Sequence, residues 1–90
     1  MNNDALLQQR LDDFAPLVRR HAFEVLQSVQ SQNGVGYDDL VQVGRIAILK
    51  AHRTFDPSRG VKFNTYVRSV IEGEMLHELR DFSATIREPG

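Results

Sequence analysis

The chain has no cysteine and no tryptophan, and only three prolines and two methionines among its 90 residues. Without cysteine there are no disulfides and no thiolate metal ligands, which suits a reducing cytoplasm. No apolar run approaches the length needed to span a bilayer, so no membrane partner is expected. The start, Met1-Asn2-Asn3-Asp4, lacks the basic-then-apolar order of a signal peptide. Charge of one sign is also missing in bulk: eleven Lys and Arg face twelve Asp and Glu, for a net −1. A nucleic-acid role therefore cannot rest on total charge, but the distribution is uneven. Residues 1–44 carry three arginines against six acids, and residues 45–87 carry eight cations against five acids. The C-terminal half is the side suited to an anionic partner.

Catalytic constellations are absent too. There is no Gly-rich phosphate loop, no Cys/His metal spacing and no Ser/His/Asp order; His21, His52 and His77 are dispersed. Asp12-Asp13 and Asp38-Asp39 are adjacent pairs, and neighbours on a helix point about 100° apart, which makes poor carboxylate dyads. No enzyme activity, cofactor or metal is expected.

What is present is helical periodicity. A chain of this length forms one domain. Leu6, Leu7, Leu11 and Phe14 recur at helical spacing over 4–14, and Pro16 is expected to interrupt that helix or open the next. The second helix is expected over about 16–30, with Leu17, Val18, His21, Ala22, Val25, Leu26 and Val29 inward and His21 a packed histidine rather than a ligand. Residues 31–36 read as a loop. A third helix is expected from Tyr37 or Asp38 to Thr54, acidic in its first turn and basic in its last, as the helix dipole favours. Leu40, Gly44, Ala47, Ile48 and Ala51 share its inner face, and the small residues admit a neighbouring helix. Ile46 and Leu49 break the polar pattern of the outer face, so that face is either sandwiched or meets a partner.

Phe55 to Tyr66 is the densest stretch chemically. It holds three of the seven aromatics, with Arg59 and Lys62 between them. Asp56-Pro57-Ser58-Arg59-Gly60 reads as a turn, and Asn64 or Thr65 as the cap of a last helix over 64–82. Aromatic faces stack bases and Arg and Lys hold phosphates, although aromatics in a small domain are more often core. The last helix turns Val67, Val70, Ile71, Met75, Leu79 and Phe82 inward and Tyr66, Ser69, Gly73, Leu76, His77 and Arg80 outward. Residues 83–90 read as an extended tail. The expected fold is all-α, a compact bundle of three to four helices.

The blocks Asp38-Asp39-Leu40-Val41-Gln42-Val43-Gly44-Arg45-Ile46-Ala47-Ile48-Leu49-Lys50-Ala51 and Phe55-Asp56-Pro57-Ser58-Arg59-Gly60-Val61-Lys62-Phe63-Asn64-Thr65-Tyr66 resemble region 2 of the sigma-70 family of bacterial RNA polymerase initiation factors. The resemblance covers roughly 17–89. It implies binding to the beta-prime clamp helices of core RNA polymerase, through Asp39, Gln42, Val43, Arg45 and Leu49. It also implies melting and reading of the minus-ten promoter element on its non-template single strand. Phe55, Asp56, Arg59, Phe63 and Tyr66 match the family's pocket for a flipped-out adenine, with Lys62 and Thr65 beside it. Ser69, Gly73, Leu76, His77 and Arg80 match its DNA-facing side.

In that frame 1–15 is an N-terminal helix, 16–54 the polymerase-binding helices, 55–82 the promoter-melting segment and 83–90 the tail. Val43 stands where housekeeping members usually carry glutamate. Ser69-Val70 stands where they carry two tryptophans, which removes the usual wedge against the duplex edge. Val70-Ile71-Glu72-Gly73-Glu74-Met75, with Leu79-Arg80-Asp81, is similar to the stress, sporulation and flagellar branch. The resemblance implies a cytoplasmic bacterial protein and adds an anti-sigma factor as a partner class. No helix-turn-helix for the minus-thirty-five element follows, so an excised domain or a truncated relative is expected. The rival expectation is an interaction module that binds polymerase or an anti-sigma factor without reading DNA.

Overall fold

A computed structural model describes residues 3–28 and 35–87, with side chains described from 4–27 and 35–79. Among the described residues there are three α-helices, α1 (Asn3–Ser28), α2 (Tyr37–Thr54) and α3 (Phe63–Arg87), with a short 3-10 turn at Pro57–Arg59 between the last two. There is no strand among the described residues. The fold is all-α, as the periodicity requires.

The core lies where the three apolar stripes meet. Val18 and Ala22 come from α1, Leu40, Ala47, Ile48 and Ala51 from α2, and Val67, Ile71, Met75 and Leu79 from α3. Val35, just before α2, is buried with them. Each fully buried aliphatic side chain removed from water contributes about 1.5–3 kcal/mol before entropy is counted. The inner face of α2 matches the sequence reading residue for residue, and Gly44 shows why small residues are needed there. A Cβ built on Gly44 would stand 2.5 Å from Val18 Cγ1 and 3.1 Å from Met75 Cε. All three helices converge on that missing methyl.

Three boundaries differ from the sequence expectation. Pro16 neither ends nor opens a helix: it lies inside α1. Proline leaves the Asp12 carbonyl without a helical donor, but Asp12 and Pro16 are both exposed and water reaches that face. Leu11, Phe14 and Leu17 on either side pack against the same core, and that burial holds the helix through the break. α3 begins at Phe63 rather than at an Asn64 or Thr65 cap, because Phe63 is drawn into packing and the Lys62 carbonyl already accepts the Tyr66 N–H at 3.0 Å. The extended tail is also corrected. Residues 83–87 continue α3, and 88–90 lie outside the described residues.

The start of α2 adds a constraint on a residue singled out above. Gly36 has no side chain to cap the helix, and the Asp39 carboxylate takes over, accepting the Gly36 N–H at 2.9 Å. Asp39→Ala should therefore cost about 1 kcal/mol, the usual cost of losing such a cap. Thermal unfolding checks this: a midpoint unchanged within error would show that the cap carries no weight. Asp39→Arg would likewise lower stability, so any loss of partner binding in that variant must be measured on the folded fraction.

Candidate functional site

The turn between α2 and α3 builds the site. Asp56 caps the 3-10 turn through its side chain, which accepts the Ser58 hydroxyl at 2.7 Å and the Ser58 N–H at 3.0 Å. These two bonds, the hydroxyl first, hold the carboxyl below the usual aspartate range. Gly60 then reverses the chain at φ 82°, a left-handed conformation that glycine adopts without strain. Its N–H returns to the Pro57 carbonyl at 3.3 Å. The reversal throws Arg59 and Val61 outward on one side and delivers Phe63 to the core on the other.

An open concavity of about 420 Å³ results, lined by Thr54, Phe55, Asp56, Arg59, Val61 and Tyr66. Phe55 and Tyr66 form its aromatic walls, with centroids 5.7 Å apart and planes tilted 40°. The Tyr66 hydroxyl and Thr54 Oγ1 are 2.6 Å apart, while Thr54 Oγ1 also donates to the Lys50 carbonyl at 2.8 Å. Tyr66 is thus half-buried and anchored to the end of α2, not free on the outer face of α3 as its position in the helix suggested. Arg59 is exposed at the mouth and makes no ion pair among the described residues.

Phe63 is not part of this lining. It stands behind Phe55, edge-on at 5.2 Å, and meets Phe14 of α1 at 5.8 Å. The Arg10 guanidinium lies 3.7 Å over the Phe63 ring, and its Nη1 reaches His52 Nδ1 at 3.0 Å. Arginine only donates, so His52 Nδ1 accepts. A file of rings, Phe14–Phe63–Phe55–Tyr66, therefore runs from α1 to the pocket wall. Sequence reading missed Thr54, Val61 and Arg10. Thr54 carried a signal in flanking the aromatic stretch and Val61 in lying within it, whereas Arg10 is distant in sequence and carried none.

Lys62 and Thr65 are exposed beside the pocket but do not line it. Farther along α3, Ser69, Gly73, Leu76 and His77 are all exposed, with Leu76 at 52%. The Ser69 hydroxyl donates to the Tyr66 carbonyl at 2.8 Å. Arg80 is helical, and its side chain, like that of Phe82, lies outside the described residues. A Cβ on Gly73 would meet nothing within 4 Å, so no packing inside the chain requires glycine there. Gly73→Ala should raise stability by about 1 kcal/mol and the melting temperature by several degrees. A lowered melting temperature would contradict this. A raised one accompanied by weaker partner binding would mark Gly73 as a point of close approach.

On α2, Asp39, Gln42 and Arg45 are exposed, whereas Val43 and Leu49 are half-buried, Val43 against the core. The exposed apolar residue of this face is Ile46, at 52%, rather than Leu49. Lys50 ties the helix to α3 through Glu74 at 3.0 Å. Among the described residues no group of His, Cys, Asp or Glu could hold a metal, and no helix is long and apolar enough to cross a membrane.

The family model for sigma-70 region 2 matches residues 11–85. The RNA polymerase sigma factor FliA of Pseudomonas aeruginosa is 37% identical over 73 residues, covering 81% of this chain and 29% of that protein. The RNA polymerase sigma-G factor of Bacillus subtilis is 43% identical over 79 residues, 83% of this chain and 30% of that protein. For FliA of Escherichia coli K12 the figures are 40% over 67 residues, 74% and 27%. The chain thus spans less than a third of the length of these relatives. No solved structure matches it significantly.

Proposed function

Because the chain belongs to the sigma-70 region 2 family, on the side of the alternative sigma factors, we propose that it serves transcription initiation by joining core RNA polymerase to promoter DNA. The pocket at the α2–α3 turn carries the reading. It has two aromatic walls for the faces of an unpaired base, a threonine and an aspartate for its polar edge, and an unpaired arginine for the adjoining phosphate. Asp56, ionised at neutral pH, favours a base edge that donates, which an adenine amino group does. The base belongs to the non-template strand of the minus-ten element, and Ser69, Gly73, Leu76, His77 and Arg80 continue the DNA-facing side along α3. Phe63 supports the wall from behind and does not touch the base.

The outer face of α2, with Asp39, Gln42, Arg45 and Ile46, docks on the beta-prime subunit. Ile46 supplies the apolar centre and the polar residues the rim, the usual anatomy of an interface. Leu49 and Val43 border it. No catalytic step is assigned to the chain.

The test is binding of a labelled single-stranded minus-ten oligonucleotide and of the matching duplex, each with and without core polymerase. The single strand should bind better, polymerase should strengthen it, and affinity should fall with salt as phosphate contacts displace counterions. Tight, salt-insensitive binding to intact duplex would overturn the reading. Capture of polymerase with no binding to either DNA would support a protein-interaction module instead.

A further inference from the structure

A second concavity lies on the opposite side of α2, in the groove between α1 and α2, with a volume of about 150 Å³. Its floor is apolar: Leu11, Ala15 and Val18 from α1 and Val41 from α2. Its rim carries Arg19 and Arg45, both exposed and neither in an ion pair or hydrogen bond among the described residues. The acid on this rim, Asp12, accepts the Gln8 side-chain amide at 3.1 Å and does not reach either arginine as a partner.

We propose that this groove is a docking site for an acidic amphipathic helix of a partner protein, which seats one leucine or phenylalanine between Arg19 and Arg45 and sets a carboxylate against each. Two observations choose this occupant. A concavity of this size, with an apolar floor of Leu11, Ala15, Val18 and Val41 under a rim of Gln8, Asp12, Arg19 and Arg45, has room for one anchor side chain. Two unneutralised arginines on opposite helices of one rim favour acids on what enters, and repel a basic or phosphate-seeking segment. The site goes beyond the polymerase and promoter reading. It shares Arg45 with the proposed polymerase face, but Leu11, Ala15, Val18 and Arg19 lie outside that face.

The probe is a short helix-forming peptide with a single phenylalanine flanked by glutamates one turn before and one turn after. Its counterpart carries lysines at the same places. In an NMR titration of the 90-residue chain, the glutamate peptide should move the methyl signals of Leu11, Val18 and Val41 and the side-chain signals of Arg19. The lysine peptide should bind roughly tenfold more weakly. Arg19→Glu leaves one cation and one anion on the rim, so it should abolish the preference and bring the two peptides to similar affinity, and it should leave affinity for core polymerase unchanged. Retained binding of both peptides separates a lost preference from lost folding. Equal binding of the two peptides by the unaltered chain would overturn the proposal, as would a glutamate preference that survives Arg19→Glu, shifts centred elsewhere, or the same methyl shifts appearing on raising protein concentration alone, which would give the groove to a second copy of this chain. Loss of polymerase binding in Arg19→Glu without any peptide binding would assign the groove to the polymerase face instead.

Discussion

Gly44→Ala is expected to lower the melting temperature by up to roughly 15 °C. The added methyl would overlap the stiff, buried Val18 side chain and crowd the end of Met75, so Val18 must shift against the core to admit it. Overpacking of this kind costs about 1–3 kcal/mol, and each kilocalorie shifts the midpoint of a domain this small by about 4–8 °C. The substitution is otherwise favourable, because alanine is the better helix former by about 1 kcal/mol. The sign of the result thus decides between close packing and intrinsic propensity. Gly73→Ala makes the same chemical change on the open face of α3 and should move stability the other way. A Val18→Ala change in the Gly44→Ala background should recover part of the loss, because the two sites share one volume and their effects are coupled. Equal and stabilising effects at both glycines would mean that the helices do not converge at Gly44.

Tyr66→Ala is expected to weaken binding of a single-stranded minus-ten oligonucleotide by about ten- to a hundredfold in the presence of core polymerase. A base–aromatic stack contributes about 1–3 kcal/mol, and 1.4 kcal/mol is one decade. Stability falls as well, since the ring packs on Phe55 and its hydroxyl is paired with Thr54. The two effects part in Tyr66→Phe. That variant keeps the ring face and should keep most of the DNA affinity, while losing about 1 kcal/mol with the hydroxyl contact. Anisotropy of the oligonucleotide, corrected for the folded fraction from circular dichroism, gives both quantities on one sample. Unchanged affinity per folded molecule in Tyr66→Ala would make Tyr66 a packing residue and remove the pocket's second wall.

The inner face of α2 was legible because it obeys one period: Leu40, Gly44, Ala47, Ile48 and Ala51 turn inward, while Ile46 and Leu49 interrupt the polar side. The position of Tyr66 was harder. A helical period compares a residue only with its own helix, and in α3 it sets Tyr66 away from Val67 and Ile71. The covering comes from elsewhere, from the end of α2 and the turn that wraps the first residues of α3. The resemblance set Phe63 with Phe55 and Tyr66 around one base; in the fold the reversal at Gly60 turns it toward Phe14 and Arg10, behind Phe55. The resemblance to the sigma-70 family supplied the location of the pocket, whereas its division into a wall and a support behind the wall needed coordinates.

Pro16 has a further consequence, in the language of opening units rather than boundaries. A hydrogen-bond ladder with one rung missing can come apart on either side of the gap without dragging the other half with it. Residues 3–15 and 17–28 of α1 are thus expected to open as two units of unequal protection, with amide exchange faster before Pro16 than at Val18 and Ala22. Phe14 lies in the looser unit and Tyr66 at the far end of the ring file. Each excursion of the first unit should uncover Phe63 and slacken the wall that Phe55 shares with Tyr66. The order of the concavity at the α2–α3 turn is thus expected to depend on a segment more than forty residues upstream, which a partner could clamp or release without touching that concavity.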